Sequence, residues 1–255
     1  MVKAYILTVD TDGGQRITQS ERQIHGVGIP WQFVNGLILT NNNVVDYSTF
    51  RNFLFYRRNM IPAEIAVYLG HRRVWEHFIA DEVEYALVLE DDFQIIDLEN
   101  LRTAIKDAIA HPSSWDIIKF FDVWSKRPVA AMDLGSTRFV CRKYPPNGAV
   151  AYLLKASAAR ALLSRKRIYR PVDEDISRPW EFSLRVWSSE RNLVTENAKA
   201  LGGSLLDAER SGEEHARRKN PIRYIFIRNL LELSKLIRSK RYQRRIRENP
   251  ICTPV

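Results

Sequence analysis

The stretch Tyr85-Ala-Leu-Val-Leu-Glu90-Asp91-Asp92 decides the fold, because a largely apolar run leads directly into three carboxylates. A continuous apolar run of this length predicts a strand that is buried on both faces, as in a parallel sheet covered by helices. The carboxylates follow at its carboxyl end, which is the edge where open α/β sheets bind ligands. The stretch therefore predicts an α/β fold with a polar site at one edge of the sheet.

The segments around this strand fit the same fold. Strands are predicted over Lys3–Val9 and Pro30–Asn35 with a helix over Arg16–His25 between them, and a longer helix is predicted over Pro62–Ala80. Proline suits the first helical position, where its missing N–H costs nothing. Further strands are predicted over 116–121, 138–144, 148–154 and 192–195, and further helices over 98–110 and 157–164. Together these elements predict a Rossmann-type, mostly parallel sheet with flanking helices.

Composition limits the class of protein. With 255 residues and 45% hydrophobic content, the chain is long enough for one sizeable core. Cys141 and Cys252 match neither a zinc site nor a disulfide framework, which favours a reducing, cytoplasmic setting. No signal peptide is recognisable, and no apolar run reaches the roughly 18 residues of a membrane span. We expect a soluble or peripheral protein.

The positive charge is concentrated near the C-terminus. The chain carries a formal charge of +9, and the segment from Arg217 to Glu248 alone carries +10. A helix predicted to open at Asn220-Pro221 has an apolar stripe at three- and four-residue steps, formed by Ile222, Phe226, Leu230, Leu233 and Ile237. We interpret 1–215 as the catalytic domain and 216–255 as a basic amphipathic helix that binds an anionic membrane surface. An ordinary helix packed on the domain, with a solvated basic end, is the alternative.

The three carboxylates indicate a site for a cation and a phosphate ester. Clustered carboxylates repel one another, and a divalent cation relieves that cost. Mg²⁺ and Mn²⁺ prefer oxygen ligands and accept a diphosphate as a further ligand. Because side chains alternate along an extended backbone, Glu90 and Asp92 are predicted metal ligands, and Asp91 points toward a sugar or ribose. A solvated turn, a phosphohydrolase or a nucleotidyltransferase would fit the same residues.

Blocks of sequence, in a fixed order, carry a resemblance to a known family. The blocks are Ile61-Pro-Ala-Glu64-Ile-Ala-Val-Tyr-Leu-Gly-His71-Arg-Arg-Val-Trp75, Ala86–Asp92, Trp115-Asp116-Ile-Ile-Lys119, Gly148–Ala158 and Pro171-Val-Asp173. They resemble blocks of glycosyltransferase family 25, the lipooligosaccharide and lipopolysaccharide biosynthesis galactosyltransferases. The chain departs from the family in the first block, where Ile61 stands for Thr, Ala63 for Gly, Ala66-Val67 for Gly-Cys and Gly70 for Ser. Glu64 and His71 are retained, so we expect these departures to bear only on fine donor or acceptor preference.

The resemblance implies a GT-A-like fold, a UDP-sugar donor with UDP-galactose as the first choice, Mn²⁺ or Mg²⁺, and inversion at the anomeric carbon. It implies transfer of a hexose to a lipid-linked oligosaccharide acceptor, by an enzyme on the inner face of the bacterial inner membrane. A glucosyltransferase of the same family is the nearest alternative. A nucleic-acid binder, which the basic tail also suggests, is disfavoured because no aromatic base-stacking platform accompanies the basic residues.

An inverting transfer needs a general base, and the resemblance places it at Asp173, with Asp175 as a second candidate. Helix capping is the alternative role for both. The predicted donor-binding residues are Arg16, Asn35, Gly36, Glu64, His71, Asp91 and Lys119. The predicted acceptor-binding residues are Trp124, Tyr144 and Asn147, and the predicted metal ligands are Glu90 and Asp92.

Overall fold

The computed structural model describes residues 1–10, 13–42, 44–56, 58–124, 127–201, 221–248 and 252–254. Its strands are β1 (Val2–Thr8), β2 (Trp31–Asn35), β3 (Tyr85–Glu90), β4 (Phe93–Ile95), β5 (Ile117–Lys119), β6 (Pro128–Leu134), β7 (Thr137–Arg142), β8 (Ala151–Lys155), β9 (Val186–Ser189), β10 (Val194–Glu196) and β11 (Thr253–Pro254). Its α-helices are α1 (Gln15–Val27), α2 (Thr49–Phe55), α3 (Pro62–Ala80), α4 (Leu98–Ala110), α5 (Ala156–Leu163), α6 (Val172–Ile176) and α7 (Pro221–Arg247).

One sheet organises the described residues, with the strand order β11-β6-β7-β9-β5-β8-β3-β1-β2. β2, β1 and β3 are parallel, and β5 and β9 are parallel to each other. Because β8 runs antiparallel to both β3 and β5, these five strands and β6 share one direction. Six of the nine strands therefore point the same way, and the predicted α/β class with a mostly parallel sheet and flanking helices is confirmed.

β3 is buried on both faces, as its apolar run predicts. Leu87 and Leu89 belong to a core cluster with residues of α4, whereas Ala86 and Val88 belong to a second cluster with Trp75 of α3. The alternation of side chains sends them into opposite layers. Burial of each large aliphatic side chain stabilises the fold by about 1.5–3 kcal/mol. The sheet edge that follows β3 is therefore supported by a well-packed core on both faces.

α3 has the predicted bounds and begins as its sequence indicates. Pro62 takes the first helical position, and the backbone N–H of Ile61 donates to Glu64 Oε2 at 3.3 Å. This bond satisfies one of the amide groups near the start of the helix. The stripe predicted for this helix is buried against the sheet and consists of Glu64, Tyr68, His71, Trp75 and Phe78.

Four of the described strands are not predicted from the sequence, namely β4, β6, β9 and β11, and one predicted strand lies outside the large sheet. β6 is not predicted, because Pro128-Val-Ala-Ala-Met-Asp-Leu134 starts with proline and has few β-branched residues; pairing with β7 makes it a strand. The strand predicted over 192–195 is β10, which lies outside the large sheet and pairs antiparallel with β4. This small pairing brings the end of β10 beside the carboxylates that follow β3.

The C-terminal segment is partly integrated into the body. The predicted domain boundary at 215/216 and the opening at Asn220 lie outside the described residues, as do the side chains of Ile222 and Phe226. Tyr242 and Ile246 of α7 are buried in the main core, and β11 pairs with β6. The apolar residues earlier in α7 are exposed, at 60% for Leu230, 55% for Leu233 and 47% for Ile237. Among the described helices, none combines the length and the apolar character that a bilayer crossing requires.

Candidate active site

Asp91 ties the end of β3 to the end of β1 and to the start of α1. Its Oδ2 accepts a hydrogen bond from the Thr8 hydroxyl at 2.6 Å, and its Oδ1 lies 2.6 Å from Arg16 Nη1. The Asp91 carbonyl accepts from the Ser20 hydroxyl at 3.1 Å. Asp91 therefore holds the guanidinium of Arg16, whose side chain is 20% exposed, at the carboxyl edge of the sheet.

Asp92 is a buried carboxylate in an unfavourable environment. Burial, followed by the negative charges of Glu90, Glu196 and Asp91, raises the pKa of Asp92 to about 8. Within the described residues, its Oδ1 is buried without a hydrogen-bond partner. Sequence reasoning missed Glu196, which comes close because it pairs with Phe93 across β10 and β4; nothing in the sequence indicates that contact.

These features fit a divalent cation at Glu90 and Asp92. The described residues contain no group of three or more His, Cys, Asp and Glu arranged around a common metal position. An orphaned buried oxygen beside other carboxylates is nevertheless the kind of donor that a hard cation stabilises, and Mg²⁺ commonly completes its coordination with water and phosphate oxygens. The protein would supply two ligands, and a bound diphosphate and water the others.

A chain of buried polar groups holds Glu90. The indole N–H of Trp75 donates to the Tyr152 hydroxyl at 2.9 Å, and that hydroxyl lies 2.9 Å from His71 Nδ1. The other imidazole nitrogen, Nε2, lies 3.1 Å from Glu90 Oε1. Because a carboxylate only accepts, we infer that His71 Nε2–H donates to Glu90 and that Nδ1 of the neutral imidazole accepts from the Tyr152 hydroxyl. His71 is fully buried, so it acts on the site through Glu90.

Asp173, near the start of α6, has the features of a general base. It is partly exposed, and its Oδ1 accepts from the backbone N–H of Glu174 at 2.9 Å. Burial, followed by the charge of Glu174, raises the pKa of Asp173 to about 6, while a bond from the Gly148 N–H and the charge of Lys119 oppose the rise. A carboxyl group with a pKa near the operating pH is suited to accept a proton.

The segment 148–150 connects Asp173 with the carboxylates of β3. The Gly148 N–H is near enough to Asp173 to lower its pKa, and two residues later the Val150 carbonyl accepts from the Glu90 N–H at 2.9 Å. Gly148 has φ +109°, and an added Cβ would lie 3.1 Å from side-chain atoms of Phe121. Glycine is needed here because the backbone is left-handed and closely packed.

Lys119, predicted to bind the donor, is fully buried. Its Nζ donates to the Pro146 carbonyl at 2.6 Å, to the Asn147 carbonyl at 3.2 Å and to Asp122 Oδ1 at 2.9 Å. Burial lowers the pKa of Lys119. Lys119 thus fixes the loop that leads into Gly148.

Asp175, the second candidate base, is enclosed by cations. It is fully buried, its Oδ1 accepts from Arg170 Nε, and its Oδ2 lies 2.6 Å from Arg165 Nε and accepts from the Tyr68 hydroxyl at 2.5 Å. Both oxygens are therefore engaged by partners within the protein. This environment suits a residue that holds α6 in place, and the geometry favours Asp173 as the base.

The remaining predicted donor-binding residues, Asn35, Gly36 and Glu64, each contact other parts of the chain. Asn35 is exposed, and its carbonyl accepts from Arg73 Nη1 at 3.1 Å. An added Cβ at Gly36 would lie 2.8 Å from Val9 Cγ1, so the close approach predicted there is to the chain itself. Glu64 is buried and paired with Arg58, with Oε2 at 2.5 Å from Nη1.

The predicted acceptor-binding residues lie in two connections between strands, Trp124 before β6 and Tyr144 and Asn147 before β8. Trp124 is 73% exposed, and it follows Val123, whose N–H donates to the Asn147 carbonyl at 3.3 Å. The Asn147 amide oxygen accepts from the Ser177 hydroxyl at 3.0 Å. The structure thus brings Trp124 and Asn147 near Gly148. Tyr144 faces α7, since Lys235 Nζ lies 5.7 Å from the centre of its ring.

Comparison with known proteins gives a consistent family. The family model described as "Glycosyltransferase family 25 (LPS biosynthesis protein)" matches residues 1–176. A "Glycosyltransferase 25 family member" of Aedes aegypti is 30% identical over 155 residues, which are 58% of this chain and 25% of that protein. A "Probable inactive glycosyltransferase 25 family member 3" of Rattus norvegicus is 28% identical over 123 residues, 46% of this chain and 21% of that protein. The match thus spans a quarter or less of these relatives.

Among solved structures, this chain is similar to a mutant Drosophila β-1,4-galactosyltransferase 7 in complex with manganese, UDP-Gal and xylobiose. The identity is 11%, the TM-score is 0.40, and the match covers 77% of this chain and 71% of that one. The family match over residues 1–176 includes every proposed metal ligand and both candidate bases.

Proposed function

The chain belongs to glycosyltransferase family 25, and from this premise we propose that it transfers a hexose, with galactose as the first choice, from a UDP-sugar to a lipid-linked lipopolysaccharide oligosaccharide. One observation carries the proposal: the buried Asp92 oxygen without a partner lies among like-charged carboxylates at the carboxyl edge of the sheet. That edge is where α/β proteins bind nucleotides. A glucosyl donor is the alternative within the same activity.

Glu90 and Asp92 are the residues that would hold the metal. Bound there, Mn²⁺ or Mg²⁺ supplies positive charge for the diphosphate leaving group. Arg16 adds a guanidinium at the same edge, where Asp91 holds it, and we assign it to the phosphates. Asn35, Gly36 and Asp91 remain the candidates for the nucleoside and the sugar.

Asp173 takes the proton of the acceptor hydroxyl. As that proton leaves, the acceptor oxygen forms a bond to the anomeric carbon, and the bond from that carbon to the diphosphate oxygen breaks with its electron pair on the diphosphate. Inversion follows if the acceptor enters from the face opposite the leaving group. The exposed ring of Trp124, near the loop that contacts Asp173, offers an apolar face for an acceptor sugar.

We further propose that α7 docks the enzyme on the anionic inner face of the bacterial inner membrane, where a lipid-linked acceptor would lie. Leu230, Leu233 and Ile237 are exposed, and Arg238 and Arg241 next along the helix are exposed as well. Each basic residue near an anionic surface contributes about 1 kcal/mol. The end of α7 stays fixed to the body, because the Tyr242 hydroxyl accepts from the Val186 N–H at 2.9 Å.

The decisive experiment is a donor screen with the full chain. UDP-galactose, UDP-glucose and other UDP-sugars are incubated with Mn²⁺, with and without extracted lipooligosaccharide, and UDP release is measured. Acceptor-dependent release that Glu90→Gln and Asp92→Asn abolish supports the proposal, and linkage analysis of the product then gives the sugar. Acceptor-independent release of phosphate or nucleotide would instead indicate a phosphohydrolase or a nucleotidyltransferase.

Membrane docking has a separate test. The triple variant Leu230→Ser, Leu233→Ser, Ile237→Ser should lose cosedimentation with vesicles that contain phosphatidylglycerol. Ile96→Ser, which changes an aliphatic residue of similar exposure (59%) before α4, is the matched control. Unchanged binding of the triple variant would contradict the docking role of α7.

A further inference from the structure

α2 presents a second exposed apolar surface, which the catalytic assignment does not use. In Thr49-Phe-Arg-Asn-Phe-Leu-Phe55, Phe50 is 70% exposed, Phe53 45%, Leu54 40% and Phe55 47%. Phe50, Phe53 and Leu54 are three and four residues apart and therefore share one face of the helix. Asn52 is the buried residue of the helix, and its amide donates to the Tyr169 carbonyl at 2.9 Å. We call the exposed face of Phe50, Phe53 and Leu54 the α2 patch.

The α2 patch is attached to the segment that leads into the candidate base. The Ser48 N–H donates to the Ile168 carbonyl at 2.9 Å, and the rings of Phe55 and Tyr169 are 5.9 Å apart. At the end of α2, Tyr56 is buried within electrostatic reach of Glu174 and Asp173, whose charges help to raise its pKa. The patch therefore borders the catalytic edge.

The charge around the α2 patch is positive. Between Asn41 and Met60 the sequence has three Arg and a single acidic residue, Asp46. Arg51 is exposed on α2, and Arg167 is exposed where its guanidinium donates to the Val45 carbonyl. Val45 is itself 84% exposed. Exposed aromatic and aliphatic side chains interspersed with arginine are typical of segments that lie in the interface of an anionic bilayer.

We propose that the α2 patch inserts into the surface of an anionic lipid bilayer beside the active site. The proposal takes its purpose from the proposed function, because a lipid-linked acceptor then meets Asp173 at the membrane surface. α7 supplies one attachment and α2 a second, and two attachments fix which side of the enzyme faces the lipid. The seven-residue length of α2 suits shallow burial among headgroups.

Binding to vesicles tests the α2 patch without any donor or acceptor, so the result does not depend on the transferase activity. The full chain and the variant Phe50→Ser, Leu54→Ser are mixed with vesicles of phosphatidylcholine alone or with 30% phosphatidylglycerol. We expect the variant to lose at least about tenfold in affinity for the anionic vesicles, since two large apolar contacts are removed. Ile96→Ser should bind like the unaltered chain.

A second measurement tests whether position 50 itself enters the membrane. Phe50→Cys in a Cys252→Ser background is labelled with an environment-sensitive fluorophore, with Ile96→Cys as the control position. A blue shift on addition of anionic vesicles at position 50, and none at position 96, supports the proposal. No shift at position 50, or unchanged affinity of the double variant, overturns it. Concentration-dependent self-association that the double variant abolishes, without vesicle binding, would assign the patch to a second copy of the chain instead.

Discussion

The imidazole Nε2 of His71 lies 3.1 Å from Glu90 Oε1, so the helix α3 positions a candidate metal ligand of the strand β3. A histidine that orients a carboxylate in this way affects metal affinity although it is not a ligand itself. Loss of such an outer partner typically weakens metal affinity by about 10–100-fold.

His71→Phe should therefore weaken Mn²⁺ binding by about 10–100-fold. Titration of Mn²⁺ in the presence of UDP, followed by electron paramagnetic resonance, measures the affinity. His71→Gln retains an N–H donor and should therefore keep part of the Mn²⁺ affinity that His71→Phe loses. Thermal melts of both variants show whether the fold is intact. Equal Mn²⁺ affinity in His71→Phe would mean that Glu90 does not bind the metal.

Asp92→Asn should stabilise the metal-free protein and remove its response to metal. Above pH 3.8 the folded protein must either hold a proton on Asp92 or, above the raised pKa of about 8, keep a buried charge beside Glu90, Asp91 and Glu196, and the amide avoids both costs at nearly unchanged volume. We expect a gain on the order of 1–3 kcal/mol in the free energy of unfolding without metal. Urea unfolding with and without Mn²⁺ measures both effects, and a variant that Mn²⁺ still stabilises like the unaltered protein would exclude Asp92 as a ligand.

Asp173→Asn should lower kcat by about 100-fold or more while leaving UDP binding unchanged, because a general base contributes about 10²–10⁴-fold. The pKa of Asp173 is raised to about 6, and the base works in its deprotonated form. Activity should therefore fall with decreasing pH through about 6 and reach a plateau above it. A pH profile of kcat/KM tests this, and an acid limb that persists in Asp173→Asn would belong to another group.

Asp175→Asn should act on stability more than on the chemical step. Asp175 lies between Arg165 and Arg170, so its neutralisation leaves Glu181 as the one carboxylate that the described residues still pair with these two arginines. Removal of one partner from a buried ion pair costs about 3–5 kcal/mol. Urea unfolding measures the loss. A stable variant without activity would return Asp175 to the list of candidate bases.

The sequence predicts the centre of this fold well and its periphery less well. β3 has a continuous apolar run, α3 and α4 have helical periodicity, and all three appear with nearly the predicted bounds. β6 has no such pattern, because its strand character comes from pairing with β7 and β11. Local residue preferences do not contain that long-range partner.

The candidate site likewise contains residues that the sequence indicates and residues that only the fold brings together. The run Glu90-Asp91-Asp92 is visible in the sequence, since three carboxylates directly follow a buried strand. Glu196 is not, because only the pairing of β10 with β4 brings it close to Asp92. The resemblance ranks Asp173 before Asp175, and the physical reason for that order, the arginines around Asp175, is seen only in three dimensions.

Lys119 offers a test of how the base is positioned. It was predicted to contact the donor, yet it is fully buried and bonded to the carbonyls of Pro146 and Asn147. Its positive charge also opposes the rise in the pKa of Asp173. Lys119→Met should therefore move the acid limb of the kcat/KM profile to higher pH, because Asp173 then holds its proton more tightly.

The same variant should leave the KM for the UDP-sugar unchanged, since the buried Nζ is held by protein acceptors. Lys155→Met is the matched control, because it removes a lysine whose Nζ lies 3.2 Å from Asp116 Oδ1. Lys155→Met should lower the free energy of unfolding without shifting the pH profile of kcat/KM. If Lys119→Met instead raises the KM for the donor and leaves the pH profile unchanged, Lys119 contacts the donor. In that case Lys119 and the loop around Gly148 do not control the pKa of Asp173.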